Sequence, residues 1–278
     1  MLDDATTNTA RRAPDEGLKS LAKVVRVLET FSTVDRSLSH GDICERTGFP
    51  KSTTHRLLAS MREVGLLDQD RERDRYRLGL KLFELGNTVL ANMELHREAR
   101  PYVENLTRLS GQAVHLAVFD GRAVVVIHRA DPHPEGTPVA FVERASAHCT
   151  SVGKAVLAFQ PAEVLDRLAA AGLHRYTEHT ITNPQALRAD LELTRTRGYA
   201  VDEGEHQPGL RCVGAPIRDA SGRVFAAVSV SGPAWKLPSN EIGAMAKLVM
   251  HTAQGISLAL GHRPAEFPNI GNKDRKMA

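Results

Sequence analysis

The chain has 278 residues, 42% of them apolar and 25% charged, which allows a sizeable core and excludes both overall disorder and a single small module. Lys and Arg total 36 against 33 Asp and Glu, and the small excess is spread over both halves, so net charge alone does not mark a nucleic-acid binder. The longest nearly apolar run, Val224 to Val230, is far short of the roughly 18 residues of a membrane span, the polar N-terminus lacks a secretion signal, and three widely separated cysteines argue against a disulfide framework; the expectation is a cytoplasmic protein.

Residues 1–16 are polar, carry Pro14 and show no apolar period, which predicts a flexible arm. From Gly17 to Thr33, Leu18, Leu21, Val24, Val25, Leu28 and Phe31 recur every three or four residues and predict an amphipathic helix. A short helix follows from about Ser39, its cap, to Thr47, with Gly48 ending it in a left-handed turn. A third begins at Pro50 and runs to Gly65 on the buried stripe Leu57, Leu58, Met61 and Val64. Two helices joined through Thr47-Gly48-Phe49-Pro50 match a helix-turn-helix, whose second helix enters the major groove of duplex DNA. Between Arg46 and Arg62 stand four cationic residues and no acidic one. Lys51, Ser52, Thr53, Thr54, His55 and Arg56 open the third helix with side chains suited to phosphates and base edges. Ser and Thr also favour helix starts as caps, so the turn and the next element carry the reading. Leu66 to Gln69 and Arg75 to Leu78 predict a hairpin wing, with Arg71, Arg73 and Arg75 near the phosphate backbone and Arg62 on the preceding helix. With 5% aromatics, the chain is poorly equipped to stack single-stranded bases.

Helical patterns continue over 80–92 and from Arg97 to Ser110, with Pro101 expected in the first turn of the latter. Strand patterns at Ala113 to Phe119 and Ala123 to His128 flank the hairpin turn Asp120-Gly121, and Pro138 to Glu143 is a third candidate strand. Helices are predicted at 153–159, 161–171 and 184–197, strands at 199–203, 212–218 and 223–231, and a last helix from Ser239 to Leu260. Antiparallel hairpins with covering helices predict an α+β fold. Thr150 to Gly153 precedes a helix, where unpaired N–H groups favour an anion or carbonyl; Ser229 and Ser231 share one strand face; Asp202 and Cys212 end and begin two others.

These motifs together resemble the IclR-type bacterial transcriptional regulators. The resemblance lies in Thr47-Gly48-Phe49-Pro50-Lys51-Ser52-Thr53, Arg56-Leu57-Leu58, Gly65-Leu66-Leu67 and Tyr76-Arg77-Leu78-Gly79. It continues in Gly153-Lys154-Ala155, Gly198-Tyr199, Gly209 to Pro216 and Ser229 to Pro233, and covers about residues 17–261. It implies a winged helix-turn-helix domain at 17–79, a linker helix at 80–92, a GAF-like effector-binding domain at 93–261 and a flexible tail at 262–278. It implies a repressor, a homodimer or homotetramer held by the helices at 17–33 and 80–91, and Ser151, Val152, Gly153, Asp202, Cys212, Ser229 and Ser231 as effector-pocket residues. An ionised Asp202 repels an anionic ligand, so it must be protonated, paired with a cation or facing a hydroxyl or other donor on the effector; the expectation is that it accepts a hydrogen bond from the effector while the 150–153 loop holds an acidic or carbonyl end.

Two weaker readings stand beside this one. A sensor or scaffold module with no promoter target would bind any duplex weakly and equally. An enzyme would need its own constellation. Ser151 to Ala155 resembles the end of a phosphate-binding loop but has His148 and Ala155 where the motif needs Gly and Ser or Thr. Cys149 and Cys212 with Asp202, His148 and His206 form no Cys-x-x-Cys or His-Glu-x-x-His pattern. No catalytic residue, cofactor or metal is expected, although metal binding at Cys149, Asp202 and Cys212 is left open; His206 is expected on the surface.

Overall fold

The computed structural model describes residues 14–32, 34–70, 74–132 and 144–263. The chain divides into two compact units, Met1–Leu90 and Ala91–Ala278.

In the first unit, helix α1 (Pro14–Leu28) turns Val27 into the core, with Val24 and Leu28 packed beside it, and leaves Leu21 and Val25 exposed at 65% and 51%. The apolar stripe read along this segment is thus shared between two faces. Strand β1 (Leu38–Ser39), too short to leave a periodic signal, leads into α2 (His40–Thr47). Ser39 caps α2 reciprocally: its hydroxyl accepts from the Asp42 amide at 3.2 Å, and its own amide donates to Asp42 Oδ2 at 2.9 Å. Gly48 turns the chain at φ +71°, a left-handed conformation that glycine adopts without a Cβ penalty. The buried Thr47 hydroxyl braces the turn, donating to Ile43 O at 2.6 Å and accepting from the Phe49 amide at 3.3 Å. Helix α3 (Lys51–Glu63) follows, with Pro50 as its cap rather than its first residue, because ψ at Pro50 is extended at 145°. Strands β2 (Leu67–Asp70) and β3 (Arg75–Leu78) form the hairpin, and β1 adds to β3 to complete an antiparallel sheet in the order β1-β3-β2. Val27, Phe31, Leu38, Ile43, Leu58, Met61, Leu67 and Tyr76 make the core, each such burial contributing about 1.5–3 kcal/mol before entropy. Helix α4 (Leu80–Asn92) presents Leu80, Phe83, Leu85 and Val89 to solvent, each at least half exposed.

The second unit opens with α5 (Glu94–Ser110), which starts three residues before the expected Arg97, so that Pro101 lies inside the helix and not in its first turn. Strands β4 (Ala113–Phe119), β5 (Ala123–Ala130) and β6 (Arg144–Ser146) are followed by α6 (Ser151–Leu157), α7 (Ala162–Ala171) and α8 (Pro184–Arg197). Strands β7 (Ala200–Glu203), β8 (Leu210–Arg218) and β9 (Val224–Pro233) then lead through a 3₁₀ turn to α9 (Ile242–Ala259). The expected strand Pro138 to Glu143 lies outside the described residues; the strand that pairs with β5 is β6, whose three residues are too few to show alternation. All six strands run antiparallel in the order β6-β5-β4-β9-β8-β7. Helices α5 and α9 cover one face and α6 to α8 the other, over a core that includes Ala117, Val124, Val156, Leu187 and Ala227. This is the α+β arrangement that the antiparallel pattern predicts.

Candidate nucleic-acid interface and ligand cavity

The first two turns of α3 expose Lys51, Ser52, His55 and Arg56. Spacings of four residues, 51 to 55 and 52 to 56, set these side chains on one face. Two cations, a hydroxyl and an imidazole there are the side-chain types that bond phosphate oxygens and base edges. Thr53 is half-buried beside them. Thr54, expected among the exposed residues, is fully buried and its hydroxyl donates to Pro50 O at 3.2 Å, because it lies on the α3 face that also carries Leu58 and Met61. Arg62 is exposed and donates to Gln69 Oε1, tying α3 to the hairpin. Arg75, expected to reach toward phosphate from the wing, is bonded instead to the segment before β1, although its side chain is 41% exposed. Its guanidinium donates to Ser37 Oγ at 3.2 Å and Ser37 O at 2.5 Å and lies 3.7 Å from Asp42, so it anchors the β1 segment. Arg73, with Arg71, lies outside the described residues.

A cavity of about 510 Å³ sits in the second unit on the α6 side of the sheet. Strand register explains its polar floor. One rung runs Ala113, Ser231, Cys212, Asp202 across β4, β9, β8 and β7; the next runs Arg129, His115, Ser229, Gly214, Ala200 across β5 to β7. Cross-strand partners share a face, so residues from five strands converge there. Gly214 is the architectural requirement, since a Cβ at that position would lie 2.8 Å from the Ser151 carbonyl and 3.1 Å from the Val152 amide. Without one, the start of α6 rests directly on the sheet and brings Ser151 and Val152 into the cavity wall.

Ser151, Val152, Asp202, Cys212, Ser229 and Ser231 all line this cavity. Gly153 does not: it packs on Ala147, whose carbonyl oxygen a Cβ would meet at 2.2 Å, and its amide is taken by Thr150 Oγ1 at 3.2 Å. The amides with no intrahelical acceptor at this end are those of Ser151 and Val152. His206, expected as a surface residue, lines the cavity as well, with its ring 5.0 Å from that of Tyr176. The sequence reading also missed His115, Arg129, Asp131 and Lys236 on the lining. His115 left a faint signal, a polar residue between Val114 and Leu116, but strand pairing was needed to place it.

The loop after β7 is held from behind. Lys154, 1% exposed, bonds Glu205 Oε1 and lies 3.0 Å from Asp190 Oδ2. Thr180 donates to Glu205 O at 2.6 Å and Thr177 to Gly204 O at 2.7 Å. The Glu205 amide in turn donates to Asp202 Oδ1 at 2.7 Å. Burial pushes the Asp202 carboxyl above its ordinary range, against the pull of the Glu205 amide and Lys154. Burial likewise pushes the Cys149 and Cys212 thiols up to about 12, so both stay protonated; Cys212 Sγ donates to Ser231 Oγ at 3.1 Å. His115 is driven down to about 4 by burial and by the Arg129 cation, and is neutral at pH 7. The floor therefore offers neutral donors and acceptors around the buried Asp202 carboxyl, with the charged Arg129, Asp131 and Lys236 elsewhere on the lining, chemistry for binding a small polar molecule. Among the described residues no group of three or more His, Cys, Asp and Glu could hold a metal ion.

The sequence model for the IclR helix-turn-helix domain matches residues 20–71, and that for the bacterial transcriptional regulator IclR C-terminal domain matches residues 87–258. The chain belongs to the IclR family. The transcriptional repressor IclR of Escherichia coli is 32% identical over 254 residues, 90% of this chain and 93% of that protein. The HTH-type transcriptional regulator BhcR of Paracoccus denitrificans is 31% identical over 255 residues, 89% of each chain. The crystal structure of an IclR homologue from Microbacterium hydrocarbonoxydans, complexed with 4-hydroxybenzoate, matches with TM-score 0.74 at 31% identity and covers 87% of this chain and 98% of that one. As a member of this family the chain is a DNA-binding transcriptional regulator.

Proposed function

We propose that this IclR-family protein is a cytoplasmic repressor that binds a pseudo-palindromic operator as a homodimer and is released by a small organic acid or carbonyl compound. The observation that carries the effector reading is the cavity itself, whose lining joins Ser151, Val152, Asp202, Cys212, Ser229 and Ser231 on one polar floor. The amides of Ser151 and Val152 receive an oxygen of the effector, and Asp202 accepts a hydrogen bond from it. The 4-hydroxybenzoate of the homologous complex, which carries both a hydroxyl and a carboxylate, is of this chemical kind. Lys51, Ser52, His55 and Arg56 read the operator, with Arg62 and Thr53 beside them and Arg73 as a further phosphate contact.

Leu21 and Val25 on α1 and Leu80, Phe83, Leu85 and Val89 on α4 supply exposed apolar surface for a second copy. Two copies would present two recognition helices to successive half-sites. The decisive experiment is an electrophoretic shift against the DNA upstream of the protein's own gene, with scrambled duplex as control. Selective retardation, relieved by 4-hydroxybenzoate or a related acid, supports the proposal; equal weak binding to both duplexes overturns it in favour of a sensor without a promoter target. Phe83→Glu should convert the dimer to monomer by sedimentation and abolish the specific shift.

A further inference from the structure

The cavity has a second end. Arg129 and His115 lie on the same rung as Ser229 and Gly214, on the far side of the serines from Asp202. Asp202 on β7 and Arg129 on β5 are separated by four strand intervals in the order β5-β4-β9-β8-β7. At about 4.8 Å per interval that is roughly 19 Å between backbones, a span that side chains standing out of the sheet shorten only in part. Both residues, with Ser229, Ser231 and Cys212 between them, line one continuous cavity, walled by the apolar Val126, Val152 and Leu210.

We propose that Arg129 forms an acid-binding subsite opposite Asp202, so that the effector is an extended hydroxy acid whose hydroxyl donates to Asp202 and whose carboxylate meets the Arg129 guanidinium. This inference rests on the effector reading above and deepens it by assigning the two ends. Electrostatics decides the orientation. Burial already opposes charge on the Asp202 carboxyl, and two like charges 4 Å apart repel by about 4 kcal/mol at an effective dielectric of 20, so a second carboxylate is disfavoured beside an ionised Asp202. The Ser151 and Val152 amides then receive the hydroxyl oxygen while its proton points to Asp202. At the other end, Arg129 Nη2 donates to Asp131 Oδ2 at 3.0 Å, and its Nε and Nη1 carry further N–H groups in the fork geometry that suits a carboxylate. His115 is neutral there and adds a donor without competing charge. Lys236, the other cation on the lining, has its ammonium 5.2 Å from the Trp235 ring, whereas Arg129 is placed by its strand on the rung of the cavity floor. A two- or three-carbon oxo acid is too short for that span and meets one end alone.

Calorimetric titration of the full chain with 3-(4-hydroxyphenyl)propanoate and with pyruvate tests this. The longer acid should bind at least tenfold tighter than pyruvate. Arg129→Gln should weaken the longer acid by about 10- to 100-fold and change pyruvate less than threefold, whereas Lys236→Gln should change both less than threefold. Asp131→Asn, which removes the carboxylate competing for the guanidinium, should tighten the longer acid severalfold; a purely structural role for the ion pair predicts weakening instead. Thermal melts of each variant confirm the fold. Unchanged affinity in Arg129→Gln, or equal losses for both acids, overturns the subsite and leaves the effector reading standing. Failure of every acid, 4-hydroxybenzoate included, to bind the native chain overturns both.

Discussion

On α3 the partner-facing groups stand in solvent: Lys51, Ser52, His55 and Arg56 are exposed, and the core beneath them is made by other residues. In the cavity the polar groups are themselves interior, with Asp202 and Ser229 both 2% exposed and Cys212 at 7%. A surface cation keeps its hydration whether or not DNA is present, so removing it subtracts from binding and little else. A buried carboxyl is tolerated only because backbone amides and a buried lysine answer it, so removing any member alters stability and recognition together. The recognition helix can therefore change specificity residue by residue, while the cavity changes as a network.

The sharpest test of that contrast is Lys154→Met. It leaves Glu205 and Asp190 without their cation, and breaking a buried pair from one side costs about 3–5 kcal/mol. Chemical denaturation should show this loss, with the loop that carries Asp202 released and effector affinity falling with it. Full stability in Lys154→Met would show that the network is dispensable and that the cavity behaves like the surface.

On the other side of the comparison, Arg56→Ala should weaken operator binding about 10- to 100-fold, or roughly 1–3 kcal/mol, and shift stability by less than about 0.5 kcal/mol. Lys51→Ala should reduce the slope of log affinity against log salt by about one if Lys51 meets a phosphate. A melting temperature that falls in step with affinity in Arg56→Ala would remove the distinction between the two regions.

Mild acid should act on the cavity through His115. His115 titrates near 4 in the folded chain against 6.5 when exposed, so between those values the unfolded chain binds more protons. Its contribution to stability is complete above about pH 6.5 and is lost as pH falls toward 4, amounting to about 2 kcal/mol by pH 5. Burial pulls His128 and His148 in the same direction, so the measurement is a difference: urea denaturation of the native chain and of His115→Gln at pH 7.5 and pH 5. The native chain should lose more between the two. Parallel losses would mean that His115 is already solvated.

What the sequence made legible follows the same division. The first unit declares itself through local signals: the Ser39 cap, the Gly48 turn and an acid-free stretch from Arg46 to Arg62 all act within a few residues of the chain. Even there, Thr54 and Arg75 were misplaced, because the α3 face that carries Leu58 turns Thr54 into the core and the pairing of β3 with β1 brings Arg75 beside Ser37. In the second unit, six cavity residues came from the resemblance to a family. His115, Arg129 and His206 were not legible, since strand order β5-β4-β9-β8-β7 joins segments as far apart in sequence as Ala113 and Ser231 and no local pattern encodes it.

Thr54 supplies the smallest effect and the finest test. It sits between Thr53 and His55 on the recognition helix, yet it is 0% exposed and its hydroxyl donates to Pro50 O at 3.2 Å. That carbonyl also accepts from the Thr54 amide at 3.0 Å, so removing the hydroxyl leaves no acceptor stranded. Thr54→Val keeps the shape and should cost at most about 1 kcal/mol of stability, with operator affinity within twofold of the native chain. The two readouts separate the alternatives. A residue that touches DNA loses affinity with stability intact; a residue of the core does the reverse. A tenfold loss of operator binding at unchanged stability would show that recognition reaches into the packed face of α3, and the line between partner-facing surface and interior would then have to be drawn through that helix rather than between the two units.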